Sequence, residues 1–573
     1  MMKKILSSVL ALAMMFSFVL SLTAVLSVST LFSASTAYAS GTVYYVSSSS
    51  GSDSNNGTSP STPWKTLANV GSKSYMPGDQ ILLKSGDSWN EQLSISNSSG
   101  TAANPILLSS YGSGNKPKIN RNMQPLDKCI VFTNVGGWKV TNLDIGNAGV
   151  GITFFYDDSY GHDYIWVENV YFHDIYGIDQ LHPPASGIFY QYSSAIAIGG
   201  DVKTAGRADY TMIQNITITN CISNGGGALL GSVGQVLVSP EPANVYWMKK
   251  NVVITNSVSN NNAIYGIVIA EVDGGYMDNC TFLFNGQQQI TVGSAAIMIG
   301  NIKNYTVKNS EFAYQQRQGT DPDGDGIDFE LRCYDVTFLN NYIHHNAAVG
   351  ALFYGNSGFV SNRVVLDGNR FQYNNQNGGN PSGYEIYFYT PNGNDNGSII
   401  NNEYYAMAGI GFVNAHSSTV SMSNNKNYYS AWEFNAPGNL EGWTAQNNIS
   451  GFAQSGTAVN GTITGPDPYI VSSIGVNTPI SSNKTITIRM KNTSSSNVGQ
   501  IYFTTTTDGV WNDAKSISFG LTVNDPNYTV YTIDMSSVPG WTGTLSQLRI
   551  DPEQGASSGS FSIDYIRIGS YYA

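Results

Sequence analysis

Five carboxylates fall within ten residues of one segment, Asp321-Pro-Asp323-Gly-Asp325-Gly-Ile-Asp328-Phe-Glu330. Ionised carboxylates this close repel one another, so a fold that keeps them must solvate them or use them. The end of the segment alternates with apolar residues. If Ile327 and Phe329 enter a core, Asp328 and Glu330 share the solvent face, because successive side chains of a strand point to opposite sides. Two neighbouring carboxyls can split their pKa values, one staying protonated while the other ionises. That is the equipment of a glycoside hydrolase: one acid for the leaving oxygen, one carboxylate for the anomeric carbon or a water.

Other residues extend this chemistry. Carried into the next two apolar stretches, the same alternation turns Tyr354, then Glu385, Tyr387 and Tyr389, outward. Stacked strands lie about 4.8 Å apart. Glu385 is therefore expected roughly 7–9 Å from Asp328 or Glu330, within the spacing used by inverting glycosidases. The catalytic set read from sequence is Asp328, Glu330 and Glu385. Tyr354, Tyr387 and Tyr389 would stack on sugar rings, Arg332 would donate to hydroxyl or acid groups, and His416 would line the same groove. Asp321, Asp323 and Asp325 have the opening spacing of a calcium loop, but Arg332 stands where such a loop needs its closing Glu. Calcium is thus a possible ligand there, and hydrolysis itself requires no cofactor. His344 and His345 read as a solvated corner, and Glu271 and Asp273 as a solvated strand edge.

Positioning these groups requires a repeat. An apolar strand, then Asn and a short apolar or small-residue run, then a polar turn recurs at Asn142, Asn169, Asn220, Asn256, Asn279, Asn309, Asn340, Asn401 and Asn425, with Gly368 in the equivalent place before Asn369. The spacings are mostly 23 to 36 residues. A second strand lies between successive corners, as in Gly266-Ile-Val-Ile, Ala296-Ile-Met-Ile and Gly326-Ile-Asp-Phe. No such unit buries a face alone, but stacked coils make long parallel sheets around one core. Asparagines at one corner can then form a ladder. A β-sandwich would instead show hairpins about every 8–12 residues.

The opening of the chain adds a resemblance. Tyr44-Tyr-Val-Ser with Gly51-Ser-Asp, Pro63-Trp-Lys-Thr-Leu, Pro77-Gly-Asp-Gln-Ile-Leu-Leu and Gly100-Thr-Ala-Ala-Asn-Pro-Ile resemble the start of pectate-lyase-like right-handed parallel β-helix proteins. Together with the Asn repeats the likeness covers roughly residues 42–430. It implies an all-β fold and an action on polysaccharide, without fixing the reaction, because lyases, hydrolases, epimerases and tailspikes share the fold. Asp325-Gly-Ile-Asp328 is similar to the calcium cluster of one pectate lyase family, which implies calcium-dependent cleavage of uronic-acid polymers as an alternative. That family abstracts its proton with a lysine, and no lysine accompanies Asp328 on the outward face. A non-catalytic glycan-binding surface protein is a third reading, in which the aromatic face has no role. The polygalacturonase set (Asn-Thr-Asp, Asp-Asp, Gly-His-Gly) is absent.

The repeat stops near Tyr429. Residues 431–573 show period-two strands between Ser, Asn and Gly turns, as in Thr485-Ile-Thr-Ile-Arg-Met and Phe561-Ser-Ile-Asp-Tyr-Ile-Arg-Ile, which predict a β-sandwich. This part resembles the jelly-roll carbohydrate-binding modules of secreted glycan-degrading enzymes. At the other end, Lys3 and Lys4, an apolar run and Ala37-Tyr-Ala39 form a signal peptide over residues 1–39. The expectation is thus a secreted, extracellular protein with no membrane partner after cleavage, a monomer whose partner is a polysaccharide. Of 27 basic residues, removing Lys3 and Lys4 leaves 25 against 39 acidic, a net charge of −14. Such a chain is poorly matched to nucleic acid. Cys129, Cys221, Cys280 and Cys333 are too few and scattered for a disulfide scaffold, and buried thiols are expected.

Overall fold

A computed structural model describes residues 41–569 and 571–572, apart from 97, 159–160, 177–192, 201–210, 233–247, 289–292, 356–359, 376–382, 390–394, 406–410, 417, 429, 435–437, 477 and 482. The expected leader, 1–39, lies outside the described residues.

The chain is a right-handed parallel β-helix followed by a β-sandwich. Each coil contributes a strand to each of three faces. The first face runs through Val150–Tyr156, Ser194–Gly200, Ala228–Ser232, the front halves of Ile267–Asp278 and Ala295–Lys308, then Asp325–Glu330, Ala351–Tyr354, Tyr384–Tyr389 and Gly411–Asn414. Its pairing is parallel throughout and in register: Ile267, Ile297, Ile327, Ala351 and Ile386 form one inward column. Phe329, Phe353 and Phe388 form the next, with ring centroids 4.1 Å apart and planes within 8°. Burying each ring contributes roughly 2–3 kcal/mol. Stacking them also ties adjacent coils to one register, since a one-residue slip would turn every ring to solvent.

The corner explains the recurring Asn. Asn142, Asn169, Asn220, Asn256, Asn279, Asn309, Asn340 and Asn401 all have left-handed φ between 50° and 59°, a conformation Asn tolerates better than other side chains. Gly368 takes the same place at φ 65°. In the last coil the corner is Asn424 (φ 56°), one residue before the expected Asn425. The residue after each corner turns inward and is buried: Leu143, Val170, Cys221, Ser257, Cys280, Ser310, Asn341, Asn369, Asn402 and Asn425. From Ser310 onward these groups hydrogen-bond as a ladder. Asn369 Nδ2 donates to Phe338 O (2.8 Å) and Asn402 Oδ1 (3.1 Å), while its Oδ1 accepts from Asn341 N (2.9 Å) and Nδ2 (3.0 Å). All four cysteines are buried free thiols.

A short helix, Leu67–Gly71, begins at Thr66, whose side chain accepts from Asn69 N, and buries Leu67 and Val70 against the N-terminal end of the coil stack. At the other end the sandwich has two antiparallel sheets around its own core, among them Ile486, Ile501, Phe503, Leu548 and Ile566. It is bound to the helix rather than tethered. Glu433 accepts from both Nε (2.7 Å) and Nη2 (3.1 Å) of Arg567 and is also paired with Arg370 of the helix. Ala431 N donates to the Tyr373 hydroxyl at 2.8 Å.

Candidate active site

Strand Asp325–Glu330 sorts the five carboxylates. Ile327 and Phe329 enter the core, while Asp328 and Glu330 stand on the outward side and retain part of their solvent contact. The register carries that side onward: Asp328 pairs with Leu352 and then Tyr387, and Glu330 with Tyr354 and then Tyr389. Toward the N-terminus Asp328 follows Met298. Tyr354 and Tyr389 lie stacked, centroids 5.7 Å apart at 14°, and Tyr389 is 43% exposed. An acid pair thus adjoins an aromatic stripe, and two sequence expectations meet on one face.

Glu385 is a correction. It is fully buried, and Asn374 donates to it through Nδ2 (2.5 Å to Oε2) and through its backbone N (3.2 Å to Oε1). The reason is a second interior ladder. Gln315 N donates to Asn346 Oδ1, Asn346 Nδ2 to Asn374 Oδ1 (2.8 Å), and Glu385 ends the series as the final acceptor. It lies one residue ahead of inward Ile386, in the column of Gly350, where the strand is still leaving its corner and simple alternation does not apply. Its carboxyl is pushed up to about 8 by burial, against the hydrogen bonds from Asn374.

Other expectations also change. Arg332 follows Leu331, and both are left-handed (φ 56° and 55°), so the chain has left the strand and buries Arg332 instead of displaying it beside the tyrosines. His344 is buried, not solvated: it stacks on Tyr342 (3.8 Å) and meets Glu311 Oε1 at 3.0 Å. Burial pushes the neighbouring His345 down to about 3. Glu271 is buried too, 3.5 Å from Lys249, while Asp273 keeps partial exposure beside Lys303 (3.2 Å). His416 is exposed in the turn just past Asn414, which pairs with Tyr387.

The first three acids are held in different ways. Asp321 is buried with its carboxylate occupied: Oδ2 accepts from Ser294 Oγ (2.6 Å) and Oδ1 from Asp323 N (3.0 Å). Asp325 is fully buried. Among the described residues no three His, Cys, Asp or Glu side chains converge on one point that could hold a metal. Asp323 instead belongs with the reactive pair. Burial and the charges of Asp321 and Glu330 push it up to about 7. Burial puts Glu330 at about 7 as well. Asp328 stands well above the usual carboxylate range, through burial and then the charges of Glu330 and Asp323, and its Oδ1 is sealed from water with no hydrogen-bond partner. Burial and mutual repulsion thus hold Asp323, Asp328 and Glu330 above the usual carboxylate range, and neighbouring carboxyls that titrate apart can divide into an acid and a carboxylate.

Two neighbours escaped the sequence reading. Tyr265 packs beside the cluster, donating its hydroxyl to Gly293 O (3.1 Å); its own ionisation is suppressed by burial and then by Asp328, Glu330 and Asp323. Arg317 Nε donates to Asp321 O (2.6 Å) and so holds the turn ahead of the strand. Both precede strands, in turn segments with no periodic signal.

Fold and site together define a right-handed parallel β-helix with an acidic, tyrosine-lined outer face. A family model described as "right handed beta helix region" matches residues 202–385, about a third of the chain. Lacto-N-biosidase of Bifidobacterium longum subsp. longum is 43% identical over 83 residues, which are 14% of this chain and 5% of that protein. The chain thus spans a small part of that relative's length. In the crystal structure of a GH136 lacto-N-biosidase from Eubacterium ramulus, 67% of this chain superposes on 67% of that one at TM-score 0.52 and 19% identity. At that identity the likeness is one of fold.

Proposed function

We propose that this chain is a glycoside hydrolase whose substrate lies across the outward face of strand Asp325–Glu330. The observation that carries the reading is the placement of Asp328 and Glu330 on one side of one strand, beside the Tyr354–Tyr389 stack, with both carboxyls raised above their ordinary range. Asp328 gives its proton to the glycosidic oxygen as the bond to the leaving sugar breaks. Glu330, assisted by Asp323, supplies the carboxylate that attacks the anomeric carbon or takes a proton from the attacking water. The tyrosines present flat faces to the pyranose rings. Hydrolysis rather than elimination is supported by the acids themselves: a uronan would bring further negative charge to a site already crowded with carboxylates. The names of the two relatives make lacto-N-biosides the first substrates to assay. With the leader expected over 1–39, the proposed site of action is outside the cell.

The test is product analysis on lacto-N-biosides and on a panel of neutral and uronic-acid polysaccharides. Hydrolysis adds one water per cut and gives no enone absorbance. Unsaturated ends, or cleavage of uronans alone, would overturn the proposal.

A further inference from the structure

Glu553 lies in the turn between strands Thr544–Asp551 and Gly559–Ile568 of the sandwich and is fully buried, yet neither of its carboxylate oxygens has a hydrogen-bond partner. Among the described residues no basic side chain pairs with it. Asp551, two residues earlier, is held by contrast through both Nε (2.6 Å) and Nη2 (2.7 Å) of Arg549. Burial pushes the Glu553 carboxyl up to about 7, opposed by the Ser494 hydroxyl beside it, which closes no hydrogen bond. An unpaired carboxylate is costly to bury, so this one calls for a positive partner.

Three turns meet here, 493–497, 521–528 and 552–558, and each carries the chain from one sheet of the sandwich to the other. Ser496 Oγ donates to Gln554 O (2.9 Å), and Ser494 O accepts from Asn524 N (2.9 Å). Asn524 stands exposed with a left-handed φ of 49°, and one end of its side-chain amide lies 2.9 Å from Thr493 O and 3.2 Å from Ser494 O. With nitrogen at that end the amide donates to both carbonyls, and Glu553 is still unanswered. With oxygen there, three acceptors meet with no hydrogen between them, which is favourable around a cation. Oxygens about 2.3–2.6 Å from a calcium ion lie roughly 3 Å from one another, which is the spacing of this group. We infer that the three turns hold a calcium ion, with Glu553 as its charged ligand and Asn524 Oδ1, Thr493 O and Ser494 O as neutral ones. Such an ion fastens the two sheets at one end of the sandwich. A single carboxylate among neutral oxygens sets its Kd at about 10⁻⁴–10⁻³ M, the weak end of calcium sites. Magnesium, which holds its waters and demands a regular octahedron, suits carbonyls from irregular turns poorly.

The site shares no residue with the acidic groove, stands independently of the hydrolytic reading and is testable without turnover. Full-length chain freed of metal by chelation is melted in a calcium chloride series. Calcium at about 10 mM should raise the melting temperature by about 3–6 °C. Glu553→Gln keeps the shape of the side chain and should abolish that rise. Asn524→Asp adds a charged ligand and should reach the same rise at about tenfold less calcium. Asp323→Asn, in the groove, should leave the rise unchanged. No rise in the parent chain, a rise that survives Glu553→Gln, or one lost with Asp323→Asn would each overturn the inference. If Glu553→Gln does not fold, Asn524→Asp decides: a variant that is less stable and needs more calcium behaves as an amide donating to the two carbonyls, and would overturn it too.

Discussion

Replacing Glu385 by Gln separates the architecture of this protein from its chemistry. The carboxyl ends an interior ladder, fully buried, with Asn374 donating twice to it. Burial raises it from 4.5 in the unfolded chain to about 8 in the folded one. The folded state therefore keeps a proton that the unfolded chain has released. The stability this neutral carboxyl contributes is full below the unfolded value and is lost as pH rises through about 8. At about 1.4 kcal/mol per tenfold in proton affinity, that gap has a ceiling of about 5 kcal/mol. An amide has no proton to lose. It does forfeit the bond from Asn374 N, because an NH2 group cannot accept, at a cost of about 1 kcal/mol. Glu385→Gln should therefore be slightly less stable than the parent at pH 4 and more stable by a few kcal/mol at pH 9. Urea midpoints followed by tryptophan fluorescence at the two pH values read the crossover. A variant less stable at both, or a difference that does not move with pH, would refute the ladder account.

The buried corner and its exposed neighbour should differ sharply. Asn369→Ala removes a residue that both gives and takes two ladder bonds, costing roughly 2–4 kcal/mol in denaturant midpoint analysis, whereas Asn309→Ala at an exposed corner should cost about 1 kcal/mol or less. For activity, Glu330 must be ionised and Asp328 protonated, so kcat/KM should rise as pH increases through about 7 and fall where Asp328 loses its proton. Asp323→Asn removes a negative neighbour of Asp328; its descending limb should move to lower pH, and a limb that stays fixed would detach Asp323 from the site.

Much of this was legible because the repeat makes every coil a copy of the last. Asn at a fixed corner needs left-handed backbone, and the structure gives that conformation to each corner from Asn142 to Asn340. The alternation of Ile327 and Phe329 with Asp328 and Glu330 likewise sufficed to face the acids outward, because mid-strand positions obey the pleat. Failures cluster at strand ends. Glu385 and Arg332 sit beside corners, where left-handed residues break the alternation, and the same single-residue offset displaced the last corner from Asn425 to Asn424. The buried state of His344 escaped notice for another reason: it depends on Glu311 in the neighbouring coil, a tertiary fact that periodicity along one strand does not contain. Nor can spacing say whether a carboxylate is already occupied, as that of Asp321 is by Ser294.

The most direct measurement compares turnover of Asp328→Asn, Glu330→Gln and Glu385→Gln on whichever glycan the parent chain cleaves. Loss of a general acid or of its partner carboxylate costs on the order of 10²–10⁴ in rate, so the first two should lose that much while Glu385→Gln retains most of the parent kcat. Full activity in Asp328→Asn or Glu330→Gln would contradict the assignment, as would a Glu385→Gln variant that folds normally and is inactive.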